Sequence, residues 1–277
     1  MSESVIHDIG YQRYDGPRLG RGYAARSLYS HGFRAAFGLG RSAKAKIFPW
    51  IVIGIVGAIA LIFAVAKSQG AEVSYQDLPG VAGVLMLTFV AVVAPELVSR
   101  DLRNNLLPLY FSRPIGRSDY VFAKLGALIT AVWLLVAGPM TLIFAAGAFG
   151  GGNFMDELRG LLRGYALTAV YALIFACLAL LIASVASRRA FAAGGIAAVF
   201  LVSLPVVGIV MALGSQKVKE IAGVGSPMTL TEGIRQWMFQ TGDQEIGSYG
   251  WLYGTVGVGL CLLCVLLLLL RYRRVTL

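Results

Sequence analysis

Six long apolar blocks alternate with polar segments along the chain. They cover about residues 48–66, 81–99, 121–149, 165–187, 190–213 and 249–270, and they contain almost no charged residues. A transmembrane helix needs roughly 20 mostly apolar residues to cross about 30 Å of hydrocarbon. The blocks are continuous and lack strand-type alternation, which favours helices over a membrane barrel. The pattern therefore predicts an all-α polytopic membrane protein with six transmembrane helices.

The basic residues lie mainly on one side of this predicted bundle. The formal net charge is +10, and if the N-terminus is cytoplasmic, the cytoplasmic segments hold 18 of the 24 Lys and Arg residues. Segments rich in Lys and Arg stay on the cytoplasmic side of a membrane. Both termini are therefore predicted to be cytoplasmic, and a bacterial cytoplasmic (plasma) membrane fits this arrangement. The charge is explained by topology and lipid headgroups, so no nucleic-acid partner is expected.

Two regions follow from this division. Residues 1–46 form a cytoplasmic N-terminal segment, and residues 47–277 form the transmembrane domain. Residues 21–37 combine arginines with aromatic and aliphatic side chains, which is typical of an amphipathic helix at a membrane interface.

The outer segments predict little structure apart from one helix. Residues 155–162 read as a short amphipathic piece between the third and fourth spans. In the longest outer segment, 214–247, Thr229 and Glu232 have the spacing of a helix capping box. This predicts an external helix whose apolar side lies on the membrane surface or between spans five and six.

Span two ends at Pro95 and Glu96. A proline inside a helix removes a hydrogen bond and favours a kink. An acid near the hydrophobic boundary is costly unless it is paired or hydrated. Glu96 is therefore either a gate or pathway residue or a helix-end acid near Arg100, and the sequence leaves both interpretations open.

The cytoplasmic loop 100–120 is more apolar than a simple turn requires. Its apolar residues are Leu102, Leu106, Leu107, Leu109, Tyr110 and Phe111. Their spacing predicts a short helix within about 101–111, with one face to bury on the membrane, on the chain itself or on a partner. Pro114 would end that helix.

The chain lacks the motifs of several enzyme classes. It contains no Walker A sequence, no metal-binding His and Cys cluster and no Gly-x-Ser-x-Gly elbow. We therefore expect no enzyme activity, cofactor or metal in this chain, and an energy source in a partner. The alternatives are an ion-coupled secondary transporter or channel, a membrane-embedded enzyme, and a membrane scaffold without transport. An ion-coupled transporter would need buried carboxylates, which the spans lack.

The segment after span two resembles the membrane subunits of type-2 ABC transporters, the exporter permeases. That family carries a motif similar to Glu-Arg-x-x-Gly-Thr-Leu-x-Leu-Leu-x-x-x-Pro-x-x-Arg, followed seven residues later by Lys. Here Asp101 stands at the Glu, Leu107 at a motif Leu, and Pro114, Arg117 and Lys124 at the Pro, Arg and Lys, without a gap. Tyr110 and Phe111 occupy apolar positions. Asn105 and Leu106 replace Gly-Thr, and Pro108 interrupts the motif helix.

The resemblance implies the ABC-2 (type V exporter) permease fold and a permease subunit of an ATP-driven exporter. Two ATPase subunits, which bind ATP and Mg, and a second permease copy or homologue would be its partners, with membrane lipids around them. The segment 101–111 would be the coupling helix seated on an ATPase. Its implied partner contacts are Asp101, Leu102, Arg103, Leu106, Leu107, Tyr110, Phe111, Pro114 and Arg117. Pro95, Glu96 and Pro205 would be gate or pathway residues, and the cargo would be lipophilic or amphiphilic.

Overall fold

The computed structural model describes residue 16 and residues 19–40, 42–104, 106–112, 114–186, 188–240 and 244–274. The first part of the predicted N-terminal segment therefore lies outside the described residues. The described chain folds into the following helices: α1 (Arg21–Ala36), α2 (Ala43–Ser68), α3 (Asp77–Val81), α4 (Gly83–Leu97), α5 (Ser99–Arg103), α6 (Leu107–Phe111), α7 (Arg117–Phe149), α8 (Phe154–Val185), α9 (Arg189–Leu213), α10 (Gln216–Ala222), α11 (Pro227–Phe239) and α12 (Gly250–Arg274).

Six helical segments are long and apolar enough to cross a membrane. They are α2, α4 together with α5, α7, α8, α9 and α12. The prediction of an all-helical protein with six candidate spans is therefore confirmed, and the chain is a multi-pass membrane protein. We call the end of the bundle where α2, α7 and α9 begin the α1 end, and the opposite end the α11 end.

The fourth span differs most from its predicted boundaries, and the second is interrupted near its predicted end. The fourth span begins at Phe154, so the residues predicted as a separate amphipathic piece are the first turns of α8. The Asn153 side chain caps this start by accepting a hydrogen bond from the Met155 backbone N–H at 3.0 Å. The second span continues through Pro95, and the regular helix is interrupted at Val98, whose φ and ψ are −124° and −53°.

The centre of the bundle is formed by α4 and α8. Two thirds of the residues in the most apolar stretch of each are buried (67%), compared with 28% for α2 and α12 and 17% for α9. The helices α7 and α8 form a long antiparallel pair, α2 and α12 pack beside it, and α9 packs against α4. The three peripheral spans thus leave most of their apolar surface to the lipid or to other proteins.

Helix α1 lies along the start of α7. Arg21 at its beginning pairs with Asp119, and the Tyr29 hydroxyl donates to Thr130 Oγ1 at 3.0 Å. Gly32 permits this close approach, because a Cβ there would lie 3.0 Å from the Ala127 side chain. The predicted helix is present, while its position at a membrane interface stays a prediction.

The segment between α9 and α12 returns into the bundle. The Ser226 hydroxyl, just before α11, accepts a hydrogen bond from Ser203 of α9 at 2.8 Å. Ser203 precedes the end of α9 by ten residues, or about 15 Å of helix. Helix α11 therefore begins inside the bundle and rises towards the α11 end, packing on α8, α9 and α12. Of the two predicted positions, α11 occupies the one between spans five and six.

The predicted capping box in this segment is wrong. Helix α11 begins at Pro227, two residues before Thr229. The Thr229 hydroxyl bonds to the Gly223 carbonyl at 2.6 Å instead, and Glu232 pairs with Arg235. Because the helix begins at Pro227, Ser226 occupies the N-cap position and Thr229 lies within the first turn.

Candidate functional site

The predicted coupling segment forms two very short helices. The first, α5, ends at Arg103, and the second, α6, begins at Leu107. Pro108 is the second residue of α6, a position where the missing backbone N–H would have no helical partner anyway. The proline therefore starts a helix instead of interrupting one. The Leu106 N–H bonds to the Asp101 carbonyl at 3.0 Å and closes the turn between them.

A buried ion pair fixes this segment to α7. The Asp101 carboxylate lies 2.7 Å from the Lys124 ammonium and accepts a hydrogen bond from the Tyr120 hydroxyl at 2.9 Å. Tyr120 and Lys124 are one helical turn apart and thus share a face of α7. Asp101 is 5% exposed and Lys124 3%. Removing one member of such a pair leaves a buried charge uncompensated, which costs about 3–5 kcal/mol.

An aromatic cluster surrounds the pair. The Tyr120 ring contacts Tyr110 and Phe111 of α6 and Tyr272 near the end of α12, with centroid distances of 5.8, 6.2 and 5.1 Å. The Lys124 ammonium also lies over the Tyr110 and Tyr120 rings, at 5.9 and 5.4 Å from their centroids. These contacts shield the pair from water and join α6, α7 and α12.

Arg117 adds a second connection between these elements. Its guanidinium lies 5.8 Å from the centre of the Phe111 ring and donates a hydrogen bond to the Arg273 carbonyl. The first turn of α7 is thereby attached to both α6 and the end of α12.

The predicted contact residues divide into an inward and an outward set. Asp101 and Leu107 are buried within the chain, and Leu102, Leu106, Tyr110, Phe111 and Arg117 are half-buried. Arg103 and Pro114 are exposed. Leu109, which was not among the contact residues, is 65% exposed and is the most prominent apolar side chain of α6. The surface available to a partner therefore includes Arg103, Pro108, Leu109 and Pro114, whereas Asp101 holds the segment in place.

The three predicted gate residues do not form one site. Pro95 is buried, and Glu96 forms an ion pair with Arg189 at the start of α9 and lines a pocket together with Arg100. Pro205 is exposed and lies sixteen residues further along α9, about 24 Å away.

A second ionic cluster lies towards the α11 end. Arg235 of α11 is 9% exposed; its guanidinium lies 3.0 Å from Asp77 of α3 and also pairs with Glu232. Glu232 accepts a hydrogen bond from the Tyr171 hydroxyl of α8 at 2.7 Å. Sequence reasoning placed Asp77, Glu232 and Arg235 in outer loops and missed this cluster. Helical spacing gives a signal only for the Glu232–Arg235 pair, since Asp77 is 158 residues away from Arg235.

Comparisons of the sequence with protein families and curated proteins identify no relative. No protein-family model and no curated protein sequence matches the chain. The function therefore has to be inferred from the residues and their geometry.

Proposed function

We propose that the chain is the permease subunit of an ATP-driven exporter similar to type-2 ABC transporters. The observation that carries the proposal is the α5–α6 segment, which is exposed on one side and fixed on the other to α7, the longest span, by the buried Asp101–Lys124 pair. The motif around Asp101, Pro114 and Arg117 supports the same assignment.

The α1 end faces the cytoplasm in this proposal. The predicted cytoplasmic segments contain most of the Lys and Arg residues, and the described parts of these segments lie at that end. The α5–α6 segment is then accessible to cytoplasmic ATPase subunits, which the chain needs because it has no Walker A sequence.

Force would pass from the ATPases into the spans through two connections. The first connection is the backbone itself, because α5 directly follows α4, one of the two most buried spans. Across the Asp101–Lys124 pair, the same segment is joined to α7 and its partner α8. ATP binding would bring the two ATPases together and displace α5 and α6, and the bundle would then reorient between two states.

A purification from the native host tests this proposal. We expect an ATPase to co-purify in mild detergent and to be lost when Leu109→Asp places a charge on the exposed face of α6. Leu39→Asp is the matched control, because Leu39 is an exposed leucine in the turn after α1. Leu107 is unsuitable for this test, since it is 3% exposed and its replacement would unfold the segment.

Two results would contradict the permease proposal. One is an intact wild-type chain that purifies without an ATPase. The other is equal retention of the ATPase by the Leu109 variant and the control.

Ion-coupled secondary transport is a second candidate because of the cluster around Arg235. Acidic residues surrounded by spans are typical of ion pathways, and Glu232 bonds to Tyr171 within α8. In this case transport in proteoliposomes would follow an imposed proton gradient without an ATPase, and Glu232→Gln would abolish it. Transport that requires ATP and an ATPase would exclude this candidate.

A further inference from the structure

A polar pocket lies at the α1 end between three spans. One part, of about 300 Å³, is formed by the starts of α2 and α9 and the end of α4. A second part, of about 260 Å³, opens beside it between α4, α5 and α9. Glu96 and Arg189 line both parts, so the two parts adjoin at this ion pair.

The pocket carries an excess of positive charge. Four basic residues line it, Lys44, Arg100, Arg103 and Arg189, against the single acid Glu96. Arg189 is paired with Glu96. Lys44, Arg100 and Arg103 are exposed and form no salt bridge with any residue that the structure describes. Their charges are therefore available to an anionic ligand.

Two long helices direct their N-termini at the same place. Both α2 and α9 begin at the pocket, their N-cap side chains form no capping bond, and their first turns contain no acid. By contrast, α7 begins at the same end and has Asp119, which accepts the Gly116 N–H at 2.9 Å. Uncapped helix N-termini favour an anion, and here they add to the basic side chains.

The walls of the pocket become apolar one helical turn further into the bundle. Phe48 and Pro49 follow Lys44 along α2, and Val92 and Val93 precede Glu96 along α4. The charged rim and the apolar wall are thus arranged in the order of a lipid headgroup and its hydrocarbon chain. A free anion would use only the rim, whereas an amphiphile would use both parts.

We propose that this pocket binds an anionic amphiphile from the adjacent membrane leaflet. Its phosphate-bearing headgroup would lie among Lys44, Arg100 and Arg189, and its hydrocarbon chain would lie against Phe48 and Val92. If the chain is the permease proposed above, this is the class of molecule that it loads for export; the loading role rests on that function, but the binding site does not.

The test is a lipid titration of the purified full-length chain in an uncharged detergent, without any ATPase. The probe is phosphatidylglycerol, with zwitterionic phosphatidylcholine for comparison, and bound lipid is counted by native mass spectrometry. We expect one saturable phosphatidylglycerol site. The double variant Lys44→Gln with Arg100→Gln should weaken it by on the order of tenfold or more.

The matched control removes the same charge elsewhere at the α1 end. Arg26→Gln with Arg273→Gln changes two exposed arginines that do not line the pocket, and should leave the affinity within about twofold of wild type. Glu96→Gln should act in the opposite direction and strengthen phosphatidylglycerol binding severalfold, because it removes a negative charge beside the headgroup.

Three results would overturn the proposal. They are equal weakening in both double variants, equal binding of phosphatidylcholine, and no saturable binding at all. Displacement of the lipid by inorganic phosphate at similar concentrations would show that the ligand is free phosphate and not an amphiphile. Since the assay contains no ATPase, a failure here leaves the permease proposal intact, and absence of an ATPase from the native complex leaves the lipid result intact.

Discussion

The cluster around Asp101 and the cluster around Arg235 differ in composition and in access to water. At the α1 end, one acid and one base, Asp101 and Lys124, are both almost completely buried. Towards the α11 end, one base, Arg235, serves two acids, and the side chains of Asp77 and Glu232 are 39% and 27% exposed. The first cluster balances its charges internally. The second has an excess negative charge that water has to stabilise.

This difference indicates different mechanical roles. A buried pair enclosed by aromatic rings cannot exchange its partners for water at low cost, so α5, α6 and α7 should move as one body. Carboxylates that already reach water lose less when an ion pair opens. The α10–α11 segment can therefore separate from α3 and α8 more easily than α6 can separate from α7.

The largest expected effect is the loss of Lys124. Lys124→Ala leaves Asp101 as a buried charge without its cation and should lower the free energy of unfolding by about 3–5 kcal/mol. The measurement is SDS-induced or thermal unfolding of the purified protein. The paired replacement of Asp101 by Leu and Lys124 by Met should cost less than Lys124→Ala alone, because no charge remains buried. If Lys124→Ala were as stable as wild type, the Asp101–Lys124 pair would not be what fixes the segment.

The loss of Arg235 should have a smaller effect. Arg235→Ala brings Asp77 and Glu232 together without a cation, but both reach water, so we expect a cost of about 1–3 kcal/mol. Hydrogen exchange should rise in residues 216–239 and stay unchanged in α7. The control is Arg159→Ala, whose pair with Asp156 is 66% exposed on both sides and should contribute less than about 0.5 kcal/mol. Equal exchange changes in α7 and α11 would remove the distinction between the two clusters.

The sequence predicts the six spans because hydrophobic length alone decides them. It misplaces their ends where polar residues extend a helix, as Asp156 and Glu157 do in the first turn of α8. It predicts the α11 helix but leaves two positions open for it, on the membrane surface or between spans five and six. Sequence spacing does not decide between the two positions, because Asp77, which pairs with Arg235, lies on α3 and is 158 residues away.

The candidate site was predictable as a segment, but the direction of its side chains was not. The motif and the apolar group drew attention to the residues from Asp101 to Arg117, several of which meet around Tyr120 in the structure. Helices of five residues, such as α5 and α6, are too short for periodicity to distinguish an inward from an outward face. Asp101 was therefore expected at a partner surface, whereas the structure buries it.

The smallest expected effect tests whether the whole α11 end separates easily from the bundle or only the α10–α11 segment does. Tyr75 is 3% exposed; its hydroxyl donates to Glu157 of α8, and the Lys67 ammonium lies 2.8 Å from the same carboxylate. These residues join α2, α8 and the loop between α2 and α3 without involving α11. Tyr75→Phe removes one hydrogen bond to a charged acceptor and should cost about 1–2 kcal/mol at pH 7.

The pH dependence of this variant identifies the cause. Burial, followed by the bond to Glu157, raises the pKa of Tyr75 well above its usual range. The folded chain therefore keeps the phenol proton at a pH where the unfolded chain loses it. The contribution of Tyr75 is fully present below the unfolded pKa of about 10 and decreases as the pH rises further. The difference in unfolding free energy between wild type and Tyr75→Phe should accordingly shrink above pH 10. A free-energy difference that stays constant with pH would mean that Tyr75 acts by packing alone. An increase in hydrogen exchange of the Tyr75→Phe variant that is confined to α11 would mean that the α11 end is held together by the Arg235 cluster.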